Sequence, residues 1–191
     1  MKPQTFISTL LLTISYCLVP TLSFSQNFQY IKSGGGNNTI NSPKEEVVDM
    51  ATDSQRNSYI VTALSKDGTA LSGLSINSYD INPNSNDMLL VSYTCDGTYR
   101  WHKIFGGGGP ESIAGIEVDN QDNVYIVGGF NQCSNPGPSN PYYSISRIGD
   151  NTGIDFTSTS TQDFCQKAFR AKFNSNGVFQ WLFYLQPATT I

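Results

Sequence analysis

Histidine is nearly missing from this chain of 191 residues: His102 is the only one. With four cysteines at scattered positions, a single histidine does not supply the paired spacing of a zinc site. A Ser-His-Asp arrangement would need a nucleophile and a third group brought together by folding, and no motif announces one. His102 therefore reads as an ordinary strand histidine beside Trp101. Charge is also sparse, at 14% of residues against roughly 25% for a typical soluble domain. Only eleven residues are Lys or Arg, none of them in a run, and the formal net charge is −4. That balance excludes a surface built to track phosphates, so no nucleic-acid partner is expected. Beyond the first 25 positions no apolar stretch approaches the roughly 20 residues that cross a bilayer, so no membrane span is expected in the mature chain. The runs Gly34-Gly35-Gly36 and Gly106-Gly107-Gly108-Gly109 lack the Gly-x-Gly-x-x-Gly order, the following helix and the lysine of a phosphate cradle. They read as tight corners between structural units.

Asn, Ser, Thr, Gly and Tyr take the place of the missing charge, a composition suited to short strands and many turns. The first 25 residues have the form of a secretory signal: Lys2, an apolar core from Phe6 to Val19, then Ser23-Phe24-Ser25. Cleavage after Ser25 would leave Gln26 as the new N-terminus, in a secreted or cell-surface protein. Export makes disulfides permissible. Cys133 and Cys165 bracket a long polar insertion, so a bridge between them would staple its ends, although spacing alone does not settle connectivity. Cys95 would then stand alone, in a turn before Asp96-Gly97.

Internal repetition dominates what remains. Asp53-Ser54-Gln55-Arg56-Asn57-Ser58-Tyr59-Ile60-Val61 returns 66 positions later as Asp119-Asn120-Gln121-Asp122-Asn123-Val124-Tyr125-Ile126-Val127. Val91…Tyr93…Gly97…Trp101 returns as Ala171…Phe173…Gly177…Trp181. Each copy reads as four strands: Val47–Thr52, Ser58–Ala63, Met88–Tyr93 and Thr98–Phe105, then Ile113–Val118, Val124–Phe130, Ala168–Phe173 and Val178–Leu185. β-Branched and aromatic residues fill these segments, and turn residues separate them. Asp96-Gly97 and Asn176-Gly177 favour the positive φ of tight hairpins. The last strand of the second copy is almost continuously apolar, which predicts cover on both faces. Four-stranded units that pack face to face around an axis bury strands in that way.

These residues resemble a known repeat. Asp119-x-x-x-Asn123-Val124-Tyr125-Ile126-Val127-Gly128 followed by Ala171-Lys172-Phe173-x-x-x-Gly177-x-x-x-Trp181 is similar to the β-propeller repeat of secreted bacterial proteins often described as seven-bladed (the SBBP-type repeat). The resemblance implies an all-β, propeller-like array of antiparallel four-stranded blades, here two blades and a leading strand. The division would be a signal peptide over 1–25, a leading strand over 26–33, blade one over 34–105 with an insertion at 65–86, blade two over 106–185 with an insertion at 131–163, and the start of a further segment over 186–191. Two blades do not close a ring, so the chain reads as the N-terminal piece of a longer protein, with further blades expected as partners. The resemblance implies no shared catalytic residues.

The expected function is an exported, non-enzymatic binding or interaction scaffold for a protein or polysaccharide ligand. The alternative is the front part of a propeller-type hydrolase or lyase whose catalytic groups lie in other blades. No cofactor is expected, calcium excepted: Asp119, Asp122 and Asn123 offer side-chain oxygens in one turn, although an Asx-turn explains the same residues. Tyr79, Asp80, Tyr142 and Tyr143 in the two insertions are the candidate binding residues, because loops on a rigid scaffold commonly carry recognition.

Overall fold

The computed structural model describes residues 34–35, 46–64, 69–71, 74–79, 87–107, 109, 111–131, 145–150, 152–159 and 166–185. The expected signal segment and leading strand, and the residues Asp80, Cys133, Tyr142, Tyr143 and Cys165, lie outside the described residues. The described residues are all-β, in antiparallel sheets and without a helix. The first repeat supplies β2 (Val47–Thr52), β3 (Ser58–Leu64), β6 (Asp87–Tyr93) and β7 (Tyr99–Gly107), hydrogen-bonded in that order. The second supplies β8 (Ser112–Val118), β9 (Val124–Asn131), β12 (Gln166–Phe173) and β13 (Phe179–Tyr184), again in order. The eight strands expected from the repeat are all present, with no end shifted by more than two residues.

Repetition extends to irregular features. The first hairpin of each repeat carries a bulge at the same position, between Val47 and Asp49 and between Ile113 and Gly115. The second hairpins share another, where Ser92 and Tyr93 face Trp101 and Tyr99, and Lys172 and Phe173 face Trp181 and Phe179. The four tight turns within the two repeats have one geometry. In each, the first residue bonds the fifth and the fourth takes positive φ: Arg56 (64°), Gly97 (82°), Asp122 (61°) and Gly177 (75°). This is a type I turn closed by a left-handed residue, a three-residue hairpin loop rather than a two-residue one. Left-handed backbone costs an L-residue about 1–2 kcal/mol, which glycine avoids at two of the four positions.

The two sheets pack on each other through unlike faces. On the first sheet Tyr59, Val61, Met88, Leu90 and Phe105 point into the shared core. On the second, the residues in that core are Ile126, Phe169, Ala171 and Phe173, whose counterparts in the first repeat, Ile60, Leu89, Val91 and Tyr93, point the other way. Strand alternation gives each repeat a tyrosine face (Tyr59 or Tyr125) and an isoleucine face (Ile60 or Ile126). The tyrosine face of the first lies on the isoleucine face of the second. Aromatic contacts concentrate there: Phe105 stacks on Phe169 at 5.8 Å and meets Phe173 edge-on at 6.0 Å.

Both insertions contain strands that their polar composition conceals. In the first, β4 (Thr69–Leu71) and β5 (Leu74–Ile76) form a hairpin, and β4 also pairs with β1 (Gly34–Gly35). In the second, β10 (Ile145–Asp150) and β11 (Gly153–Thr159) form a hairpin that adds to the outer edge of the other repeat, with Ile148 opposite Phe105 on β7. Three-residue strands hold too few positions for a period to register, and β11 is rich in Ser and Thr.

Two expectations about burial and corners are corrected. The strands buried on both faces are β6 and most of β7 in the first repeat, because β4–β5 covers their far side. β13 is only partly covered, and Phe183 is 62% exposed. Part of each glycine run is strand rather than corner: Gly34–Gly35 pairs with β4 and Gly106–Gly107 ends β7, while Gly109 lies in a bend. Gly106 is required because a β-carbon there would overlap the Asp87 carboxylate.

Candidate functional site

Among the described residues nothing covers the tyrosine face of the second repeat, where Val127 and Phe183 are exposed. Alternation along β9, β12 and β13 places Tyr125, Val127, Arg170, Lys172, Trp181 and Phe183 on it. Tyr125 and Trp181 pack at 6.0 Å, as their counterparts Tyr59 and Trp101 do at 5.7 Å. The Arg170 guanidinium lies over both rings, 4.6 Å from Tyr125 and 5.8 Å from Trp181, and the Lys172 ammonium is 5.2 Å from Tyr125. Such cation–ring contacts hold long side chains against an aromatic surface. At the β8 edge of this face a cleft of about 420 Å³ is lined by Asp49, Gly115, Ile116, Glu117, Tyr125, Val127 and Arg170. The cleft thus brings the Tyr125 ring and the Arg170 cation together with the carboxylates of Asp49 and Glu117.

The contact between the repeats shows what such a face does when covered. Trp101 sits on the turn at Asn174–Val178, donating its indole N–H to the Ser175 carbonyl at 3.0 Å. A β-carbon on Gly177 would lie 2.5 Å from the indole, so the seat requires glycine twice over, for its φ and for its space. Arg100 spans the same junction, donating to the Tyr59 hydroxyl, the Ser92 hydroxyl and the Ser175 carbonyl. At the turn end of the sheets, Ser54 donates its backbone N–H and its hydroxyl to the Asp122 carboxylate at 2.9 and 2.8 Å. The Ile116 N–H donates to Asp49 at 3.0 Å.

Asp119, Asp122 and Asn123 share one turn, and each is engaged within the protein. Asp119 accepts from the backbone N–H groups of Gln121 and Asn123, from the Asn123 amide and from the Tyr125 hydroxyl. Burial pushes its pKa up, but these donations outweigh it and hold the carboxyl at about 2. Asp53 repeats the arrangement with Gln55, Asn57 and Tyr59, and its pKa is lowered against the same opposing effect of burial. Both are Asx-turns. Among the described residues, no group of three His, Cys, Asp or Glu gathers as a metal site would require.

Tyr79, the one insertion candidate that is described, is half-buried. Its hydroxyl donates to the carbonyls of Asp150 at 3.1 Å and Gly153 at 3.5 Å, tying the first insertion to the second. Burial first, then Asp150, Asp155 and Asp87, push its pKa up to about 12. Beneath the second hairpin Lys103 is buried with its ammonium 2.9 Å from Asp150 and 2.5 Å from Asp155. Burial favours its neutral form, and the two carboxylates outweigh that and raise its pKa. His102 is buried, its Nδ1 2.7 Å from the Tyr99 hydroxyl, and Cys95 is exposed in its turn.

Composition drew attention to the insertions and away from the open face. The signal for that face was nevertheless present, because the repeat aligns Tyr125 and Trp181 with Tyr59 and Trp101. Arg170 and Lys172 were harder to find, since they replace Leu90 and Ser92 and have no counterpart to compare. No protein-family model matches the chain, and a search of curated proteins found no relative.

Proposed function

We propose that this protein is an exported, non-enzymatic scaffold, built as a propeller-like array of four-stranded blades, that binds a protein partner at the cell surface or outside the cell. The observation carrying this reading is the open tyrosine face of the second repeat. It presents the residue pair, Tyr125 and Trp181, whose counterparts Tyr59 and Trp101, the first fully buried and the second half-buried, pack into the contact between the two repeats. Exposed apolar patches of this kind, aromatic at the centre and rimmed by charge, mark interaction surfaces. The resemblance to secreted propeller repeats and the signal-like first 25 residues support export.

The reading is tested in two steps. Fractionation of cells producing the full chain is expected to recover protein beginning at Gln26 in the surface or medium fraction; retention inside the cell with Met1 intact would count against export. The immobilised mature protein is then expected to bind proteins of the surface fraction, and binding should be lost in Trp181→Ala with Tyr125→Ala. Binding only to purified polysaccharides, unchanged in that variant, would reject the assignment of a protein ligand to this face.

A further inference from the structure

The covering of the first repeat has a consequence for assembly. The contact between repeats joins unlike faces, tyrosine to isoleucine, so it is heterologous and leaves one face of each kind at the two ends. At one end the tyrosine face of the second repeat is open. At the other, the isoleucine face of the first repeat is covered. Leu71, Leu74 and Ile76 of the β4–β5 hairpin join Leu64, Leu89, Val91, Tyr93 and Ile104 in a second core. These last four are the counterparts of Phe169, Ala171, Phe173 and Tyr184, on which the preceding repeat rests. The hairpin thus stands where a preceding repeat would.

The cover is anchored at several points. The Asp87 carboxylate accepts from the Ser78 hydroxyl and the Tyr79 N–H, pinning the segment that leaves β5 onto the floor made by Gly106. Tyr79 continues to the backbone of the β10–β11 hairpin, which is itself paired to β7 and held by Lys103 between Asp150 and Asp155. Displacing β4–β5 would unmake this chain of contacts.

We propose that the β4–β5 hairpin is a terminal cap, closing the first repeat to any preceding unit, so that assembly proceeds in one direction through the Tyr125–Trp181 face. The occupant of that face is the isoleucine face of a further repeat unit. It presents a glycine turn to seat Trp181, as Gly177 seats Trp101, and carboxylates opposite Arg170 and Lys172, which stand where the first repeat has Leu90 and Ser92. This deepens the scaffold reading and rests on its array of repeats. It departs from the closed ring implied by the resemblance, since a ring would need the capped face. Repeat arrays require distinct terminal units for solubility, which is the role assigned here.

The test begins with the full chain and with a variant whose residues 66–78 are replaced by a Gly-Ser linker. Light scattering is expected to find the intact chain monomeric. The uncapped chain carries both complementary faces and should associate head to tail into oligomers, and adding Trp181→Asp should return it to a monomer. An intact chain that forms Trp181-dependent oligomers, or an uncapped chain that folds and stays monomeric, would overturn the cap. Should the uncapped chain not fold, a second copy of residues 106–185 is tethered after residue 191 of the intact chain, with its own tryptophan changed to phenylalanine. Severalfold protection of Trp181 from oxidation, lost when the glycine of the copy that corresponds to Gly177 is changed to valine, supports the proposal; full reactivity beside a folded copy refutes it. Absence of surface-protein binding by the intact chain, with Trp181 protected once the copy is tethered, would reject the scaffold reading while leaving the cap intact.

Discussion

The same four-stranded unit occurs twice here, once covered on both faces and once on a single face. In the first repeat β6 is buried from end to end, and β7 is buried beyond Trp101. In the second, Phe183 on β13 and Leu185 just past its end are more than half exposed, although this is the more apolar segment by sequence. Hydrophobicity of a strand therefore does not report its burial; its neighbours do. Ile104 is fully buried because a hairpin from an insertion covers it. Leu185 is exposed because nothing among the described residues covers its side of the second sheet.

Substitutions at matched positions put this contrast at risk. Phe105→Ala removes a fully buried ring from the junction and is expected to destabilise by about 3–5 kcal/mol. Its counterpart, Leu185→Ala at an exposed position, should stay within about 0.5 kcal/mol. Equal urea midpoints for the two variants would erase the difference between the repeats. Gly177→Ala combines left-handed strain with overlap on Trp101, for about 2–4 kcal/mol in total. Gly97→Ala should cost at least the conformational part, about 1–2 kcal/mol. Thermal unfolding of both variants separates the packing contribution from the backbone one.

Smaller effects sharpen the junctions. Lys103→Met leaves Asp150 and Asp155 without their cation; because those carboxylates keep some contact with water, about 1–3 kcal/mol is expected rather than the full cost of a buried pair. Faster hydrogen exchange at Ser146–Gly149, with β2–β3 unchanged, would locate the loss in the added hairpin. Ser54→Ala removes the hydroxyl donated to Asp122 and should cost about 1 kcal/mol. Asp122→Ala should cost little more when combined with it, since the two changes act on one contact.

The gentlest probe is pH. Asp119 is held at about 2 in the folded protein against 3.8 in the unfolded chain, so the folded state favours its ionised form. The stabilisation it supplies is complete above the unfolded value and fades as pH falls from about 4 toward 2. Asp119→Asn should lower the urea midpoint at neutral pH and flatten its decline over that acid window. A decline as steep in the variant as in the parent would remove Asp119 from the explanation.

Much of the fold was legible because the repeat allowed each strand to be read twice. Asp53 and Asp119, each four residues before an Asn and six before a Tyr, mark the same Asx-turn. Gly97 and Gly177 mark the left-handed positions of two hairpins. The four insertion strands were hidden: β4 and β5 hold three residues each, too few for a usable period, and β11 is rich in Ser and Thr. Attention to Tyr79 found an anchored side chain, but its partners, the carbonyls of Asp150 and Gly153, are more than 70 positions away. The open face was visible only in part: alternation identifies Tyr125 and Trp181 as neighbours, yet not which side of the sheet is covered.

Sequence alone determined the class of structure, the eight repeat strands, the turns that join them and the equivalence of the two units. Those features depend on local geometry: alternation, Asx hydrogen bonds and glycine at positive φ act within a few residues. Tertiary structure decided which face meets which, that one insertion closes the first repeat and that the other adds to its edge. Such choices depend on surfaces formed only after the strands pair, between residues whose separation along the chain leaves no local pattern.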